Sequence, residues 1–186
     1  MAGSHKKAIV RRMTGEVLPG YLPLSGLVQR GSGQGAGLSL ELLDLAGRVI
    51  SLQLSDVKMV SYVRDFNLSD TTNPERLLRR TFLARPRGEG LWVRLTFATG
   101  ETLEGLAPTD TSLLDDLVKD AGLFLTPPDV RSNTQRIFVP RSSVETLQLI
   151  AVITTPSKRK PLPSQEKTTL QEDLFAAPLP PGARPN

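Results

Sequence analysis

The segment Thr14-Gly15-Glu16-Val17-Leu18-Pro19-Gly20 returns 85 positions later as Thr99-Gly100-Glu101-Thr102-Leu103-Glu104-Gly105, with Thr, Gly, Glu, Leu and the closing Gly unchanged. A chain that writes the same turn-and-strand signature twice is constrained to build one local fold twice. Before the first copy, residues 7–13 alternate. Ala8, Val10 and Arg12 fall on one face, and Ile9, Arg11 and Met13 on the other, which predicts a strand. Thr14-Gly15 then supplies the positive φ of a tight hairpin. Residues 16–22 form the return strand, and Gly20 predicts a bend within it. Further strands are expected over 38–42, 48–54 and 57–63, with turns at 44–47 and 55–56.

The second copy follows the same order, with a strand at 91–97, a turn at Thr99-Gly100 and a return over 101–106. Leu123 and Leu125 match Leu38 and Leu40 at the same offset of 85. Ile137, Val139, Ser142, Val144 and Leu147 match Ile50, Leu52, Ser55, Val57 and Val60 at an offset of 87. The change of two is expected in the turn 129–133, because turns absorb insertions. The copies differ in their long loops. The first uses the glycine-rich stretch 30–37. The second uses 109–122, which predicts a short helix capped by Asp110, with Leu113, Leu114, Leu117 and Val118 on one face and Gly122 at its end.

The expected architecture is mainly β. Two tandem five-stranded small barrels occupy 7–63 and 91–153, with a connector over 64–90 and a tail over 154–186. In the connector, Asn73-Pro74-Glu75 predicts a helical turn carrying Leu77 and Leu78. The stretch 76–87 then holds five arginines, Phe82 and no acid. The tail holds seven of the fifteen prolines and few apolar residues, so it is expected to be disordered.

Composition removes several function classes. The chain has no cysteine, and its one histidine, His5, lies near the N-terminus. Thiolate catalysis, zinc sites and Ser-His or Cys-His nucleophiles are therefore not expected. Glu16 and Glu101 read as water-facing residues beside turns rather than a catalytic pair. The stretch 30–37 has neither GxGxxG nor a following Lys-Ser/Thr, so it reads as a loop and not a phosphate cradle. No catalytic residue, cofactor or metal is expected. The apolar run 149–153 is too short to span a bilayer. With no cysteine and no apolar N-terminal run, the expected location is cytoplasmic. The net charge of +4 permits a nucleic-acid partner without requiring one.

Five short strands with a glycine-bounded first hairpin resemble the Sm-like and SH3-like small barrels. Val139-Pro140-Arg141-Ser142, with Val144 and Leu147, is similar to the second Sm segment, with Ser142 where that family has Gly. The first copy has Leu54-Ser55-Asp56 there and no Arg, so the RNA-binding residues of Sm proteins do not transfer. The whole of 7–153 also resembles a bacterial family of unknown function with two such barrels, marked by Tyr62-Val63-Arg64-Asp65-Phe66 and by Asn133-Thr134-Gln135-Arg136-Ile137-Phe138-Val139.

These readings point to a non-enzymatic binding or adaptor protein with a protein partner. Alternatives stay open on the arginine cluster. Arg76, Arg79, Arg80, Arg85 and Arg87 could neutralise phosphates while Phe82 stacks on a base, giving a nucleic-acid contact. The same stretch also reads as a solvated connector packed on both barrels. Arg76 and Arg80 further resemble the RxxxR of PilZ cyclic-dinucleotide receptors, and residues 110–115 their DxSxxG, with Asp115 in place of the Gly. In the tail, Gln171, Asp173, Leu174 and Phe175 resemble the short peptide that docks bacterial replication proteins on the DNA sliding clamp.

Overall fold

A computed structural model describes residues 5–31, 37–110, 121–129 and 131–154. They form eleven strands: β1 (His5–Arg12), β2 (Val17–Pro23), β3 (Gln29–Arg30), β4 (Leu38–Asp44), β5 (Val49–Gln53), β6 (Val57–Val63), β7 (Gly90–Phe97), β8 (Thr102–Ala107), β9 (Gly122–Leu125), β10 (Thr134–Pro140) and β11 (Val144–Ile153). Single 3-10 turns, Leu54–Asp56 and Arg141–Ser143, precede β6 and β11. The fold is mainly β. The helix expected over 109–122 falls largely on 111–120, outside the described residues, and so does nearly all of the tail.

Both glycine turns close as hairpins. The Gly15 N–H donates to the Arg12 carbonyl at φ +90°, and the Gly100 N–H donates to the Phe97 carbonyl at φ +79°. The strands that follow pair in the same register. Ala8 opposite Gly20 in β1–β2 recurs as Val93 opposite Gly105 in β7–β8, both partners 85 positions on. The β1–β6 pairing recurs in β7–β11, with Val10 opposite Val60 answered by Leu95 opposite Leu147. Even the bulge recurs, placing Lys58 and Glu145 in the extra position.

One expected correspondence is corrected. In β4–β5, Leu40 faces Leu52, and in β9–β10, Leu123 faces Val139. Leu123 and Leu125 therefore match Leu40 and Leu42, two residues away from the expected alignment. Strand side chains alternate with period two, so a slip of two keeps every residue on its face, and the leucine pattern alone cannot detect it. The short strand β3, which pairs with β4, carries no apolar alternation and was not expected.

The two runs of strands join through one pairing. β6 hydrogen-bonds β1 on one side and β10 on the other, within a sheet ordered β3-β4-β2-β1-β6-β10-β9, with β5 on β4. The strands β11-β7-β8 form a second sheet. It meets the first at Leu106 and Thr126, which exchange N–H···O bonds of 3.0 and 2.9 Å. One core gathers Ala8, Val10, Leu22, Leu40, Leu42, Val60 and Tyr62. The other gathers Val93, Leu95, Phe97, Leu103, Ile137 and Val139. Along β10, Phe138 enters the first core while its neighbours enter the second.

The second conserved glycine of each signature serves close approach. A Cβ on Gly20 would lie 2.5 Å from the Leu43 carbonyl oxygen, and one on Gly105 would lie 2.8 Å from the Leu125 Cβ. A side chain at either place would push a neighbouring strand away. Gly20→Ala should therefore cost roughly 1–3 kcal/mol in urea denaturation. Gly15→Ala meets no atom and bears only its positive φ, so it should cost about 1 kcal/mol. An unchanged midpoint for Gly20→Ala would refute the close approach.

Candidate functional site

The connector between β6 and β7 carries the arginine cluster, and what fixes it decides what the arginines can do. Its first half is clasped by the start of β10. The Asn133 side chain accepts the Asp65 N–H at 2.9 Å and donates to the Asp65 carbonyl at 2.7 Å. The Thr134 hydroxyl donates to the Glu75 carbonyl at 2.7 Å. The two marker motifs noted in the sequence thus meet at Asp65 and Asn133. Phe66, from the first of them, stands edge-on to Tyr21 at 5.4 Å.

Glu75 is buried, and Arg11 of β1 supplies its counter-charge. The guanidinium approaches both carboxylate oxygens, at 2.7 and 2.9 Å. A buried carboxylate needs such a partner, because an unpaired charge out of water is costly. In place of the helical turn expected at Asn73-Pro74-Glu75 there is one tight turn: the Arg76 N–H donates to the Asn73 carbonyl at 2.9 Å, and the Asn73 side chain accepts the Leu77 N–H at 3.1 Å. Arg76 then takes a left-handed backbone, φ +49°, and no helix follows. Leu77 enters the second core, whereas Leu78 is exposed.

The second half is pinned by Glu104 of β8, which is 2% exposed. Its carboxylate accepts from the Phe82 N–H at 2.9 Å, the Trp92 indole at 3.2 Å and the Arg94 guanidinium at 2.7 Å. Its own N–H donates to the Arg80 carbonyl at 2.7 Å. Burial by itself raises the Glu104 pKa. The Phe82 N–H, Arg94 and Trp92 outweigh it and hold the carboxyl below its ordinary value. Position 104 answers Pro19 in the first run, so this pin exists once.

Glu101 does more than face water. It accepts from the nearly buried Lys58 at 2.8 Å and pairs with Arg80. The Lys58 hydrogen bond lowers its pKa against an opposing desolvation, with Arg80 adding to the lowering. Glu16, its counterpart, pairs with Arg12 across its hairpin at 2.8 Å.

The five connector arginines are therefore not equivalent. All are exposed, but Arg80 is engaged by Glu101. Among the described residues, no carboxylate forms an ion pair with Arg76, Arg79, Arg85 or Arg87. Phe82 is half-buried and meets Trp92 in a T-shaped contact, with ring centres 5.6 Å apart. The clamp-like residues Gln171, Asp173, Leu174 and Phe175 lie outside the described residues, as do residues 111–115 of the DxSxxG-like stretch.

A second candidate lies where the two 3-10 turns meet. Ser142 Oγ donates to the Leu54 carbonyl at 3.2 Å, and the Arg141 N–H donates to the Ala121 carbonyl at 3.0 Å. A cleft of ≈ 330 Å³ opens there, lined by Gln53, Ser55, Arg141 and Ser142 and flanked by Gly37 and Ala121. Those two flanking residues adjoin 32–36 and 111–120, within the loops that distinguish the two runs. Among the described residues, no group of three or more acidic or histidine side chains is placed to hold a metal. No helix among them is long and apolar enough to cross a membrane.

Residues 4–151 match a family described as "Family of unknown function (DUF6982)". No curated protein and no solved structure matches the chain.

The Glu104 pin gives a signed pH dependence. Its folded pKa lies below the unfolded value of about 4.5, so its stabilisation is complete above that pH. It is lost as pH falls through the folded pKa. Glu104→Gln should cost roughly 1–3 kcal/mol at neutral pH and flatten the acid limb of stability below about pH 4.5. The same acid limb in mutant and parent would refute it.

Proposed function

We propose that this chain, which belongs to the family of unknown function DUF6982, is a non-enzymatic, cytoplasmic binding or adaptor protein built of two tandem Sm-like barrels. In this reading, each barrel is one run of strands, β1–β6 with the short β3 added to five and β7–β11 with five, and a 3-10 turn precedes the last strand of each. The observation that carries it is the cleft between the two 3-10 turns. The residues that follow 32–36 and 111–120, Gly37 and Ala121, both line it, so each of the loops in which the runs differ returns to the β scaffold at this cleft, and loops held on a rigid scaffold are where binding surfaces tend to lie. Arg141 contributes a cation there, and Gln53, Ser55 and Ser142 contribute neutral polar groups suited to a peptide.

Affinity capture with the intact chain, with Gln53→Ala/Arg141→Ala, and with 155–186 deleted tests this. The cleft variant should lose a partner that the intact chain retains, and the deletion separates docking through the tail. Identical capture by all three, or no specific partner, would sink the reading.

A second reading rests on the connector. Arg76, Arg79, Arg85 and Arg87 are exposed and carry no ion pair with a described carboxylate, which suits a phosphate backbone. If they grip single-stranded nucleic acid, log affinity should fall with log salt, with a slope of about 0.7 per phosphate neutralised. Arg79→Ala/Arg85→Ala should reduce that slope while sparing the Arg80–Glu101 pair. Salt-independent binding to DNA and RNA oligonucleotides, or none, would exclude this grip.

A further inference from the structure

The last strand of each run occupies the same place, yet the two are buried very differently. Every residue of β6 is buried, including Lys58 and Ser61, because β10 pairs on its outer edge. β11 pairs with β7 in the register that β6 uses with β1, but none of the described strands pairs on its outer edge. Leu147 and Leu149 answer Val60 and Tyr62, 87 positions on. They are 55% and 53% exposed, and Val152 further along is 54% exposed. β11 is also the longest strand described, with Glu145 through Leu149 all exposed. An edge of this length, carrying bare leucines, is a template for another strand.

Two occupants from a second copy are available, and the residues choose between them. Head-to-tail pairing would set β5 against β11 as β10 sits against β6. At the internal junction, Phe138 and Phe124 cover Val60 and Tyr62. The residues of β5 and β4 in those places are Ser51 and Glu41. They would set polar groups, one a carboxylate, against the leucines of β11, and Val49, opposite Leu149, would be the one exposed apolar residue of β5 to meet them. Pairing of β11 with β11 has no such mismatch. An antiparallel pair centred on Gln148 places Leu147 of one copy opposite Leu149 of the other, and Val144 opposite Val152. It is self-complementary, as a two-fold interface must be.

We propose that β11 is a self-association edge, joining two copies of this chain through an antiparallel β11–β11 pair with Leu147 and Leu149 facing their counterparts across a two-fold axis. The result is a continuous six-stranded sheet, β8-β7-β11-β11-β7-β8. The proposal rests on the register shared by β6 and β11 and stands apart from the binding reading above.

Sedimentation velocity on the intact chain should show a concentration-dependent monomer–dimer equilibrium. Leu147→Glu/Leu149→Glu should weaken it by about tenfold or more, since like charges would face across the axis. Both side chains are over half exposed, so circular dichroism and thermal midpoint should barely move. The chain has no native cysteine, which makes a single Gln148→Cys variant clean. Its two copies would sit about 4.5–5.5 Å apart between Cα atoms, within disulfide reach, and should cross-link into a covalent dimer on mild oxidation. A monomer at every concentration would overturn the proposal. So would a dimer indifferent to the glutamates, or the absence of the Gln148→Cys cross-link. A ladder of multimers from Val49→Cys/Leu149→Cys, with no Gln148→Cys dimer, would overturn it in favour of head-to-tail pairing.

Discussion

The pairing of β6 with β10 is the constraint on which the rest of the molecule depends. It is antiparallel, with Arg136 opposite Tyr62 and Phe138 opposite Val60. Each strand serves two cores at once. β6 gives Val57, Val60 and Tyr62 to one core and Met59 to the other, and β10 gives Phe138 to one and Ile137 and Val139 to the other. A strand buried on both faces tolerates few polar residues; the Ser61 hydroxyl finds no hydrogen-bond partner among the described residues, but a buried charge must find one. Lys58 does so by reaching Glu101 and Thr99 and lying 5.1 Å from the centre of the Phe97 ring. Its ammonium stem thereby becomes part of the packing between the runs.

The connector follows from that junction. Once β6 and β10 lie side by side, the chain leaving β6 passes the start of β10, where Asn133 and Thr134 satisfy its backbone groups. It then crosses to the second sheet, where Glu104 collects three donors. Buried carboxylates hold both halves, Glu75 through Arg11 of β1 and Glu104 through the Phe82 N–H. Each acid is accessible only to its own partners, so these pairs define where the segment lies as well as stabilising it. The connector arginines without an ion pair point to solvent because the segment's anchoring uses other groups.

Much of this was legible in the sequence, and the limits have physical causes. Alternation and the Thr-Gly turns located the strands, since both are local signals. The two-residue slip between Leu38/Leu40 and Leu40/Leu42 was invisible because period-two patterns repeat under it. The Glu104 pin could not be read from Glu104 itself. Its partners come from three segments, and an acid on a strand ordinarily reads as a solvent-facing residue. Glu101 reads as such along the sequence, and its pairing with Lys58 depends on a contact 43 residues away. Asn133 was visible as part of a motif, but its bond to Asp65 spans 68 residues, which no window along the chain can contain.

The two runs also differ at the positions that make the β6–β10 junction. Where β9 and β10 carry Phe124 and Phe138, the first run carries Glu41 and Ser51. Glu41 has a local neighbour in Gln29 of β3, and the Arg48 side chain is held by Asp44. Apart from Val49, the β5 side is thus polar at these positions, and an approaching β11 would strip water from Glu41 without supplying a counter-charge. Polar residues that blunt one edge while the other stays apolar disfavour open-ended head-to-tail growth, which a chain built from two similar runs would otherwise invite. The sequence divergence between the runs is therefore part of the architecture. It sets one apolar junction within the molecule and leaves β11 as an edge with three large apolar side chains exposed, Leu147, Leu149 and Val152.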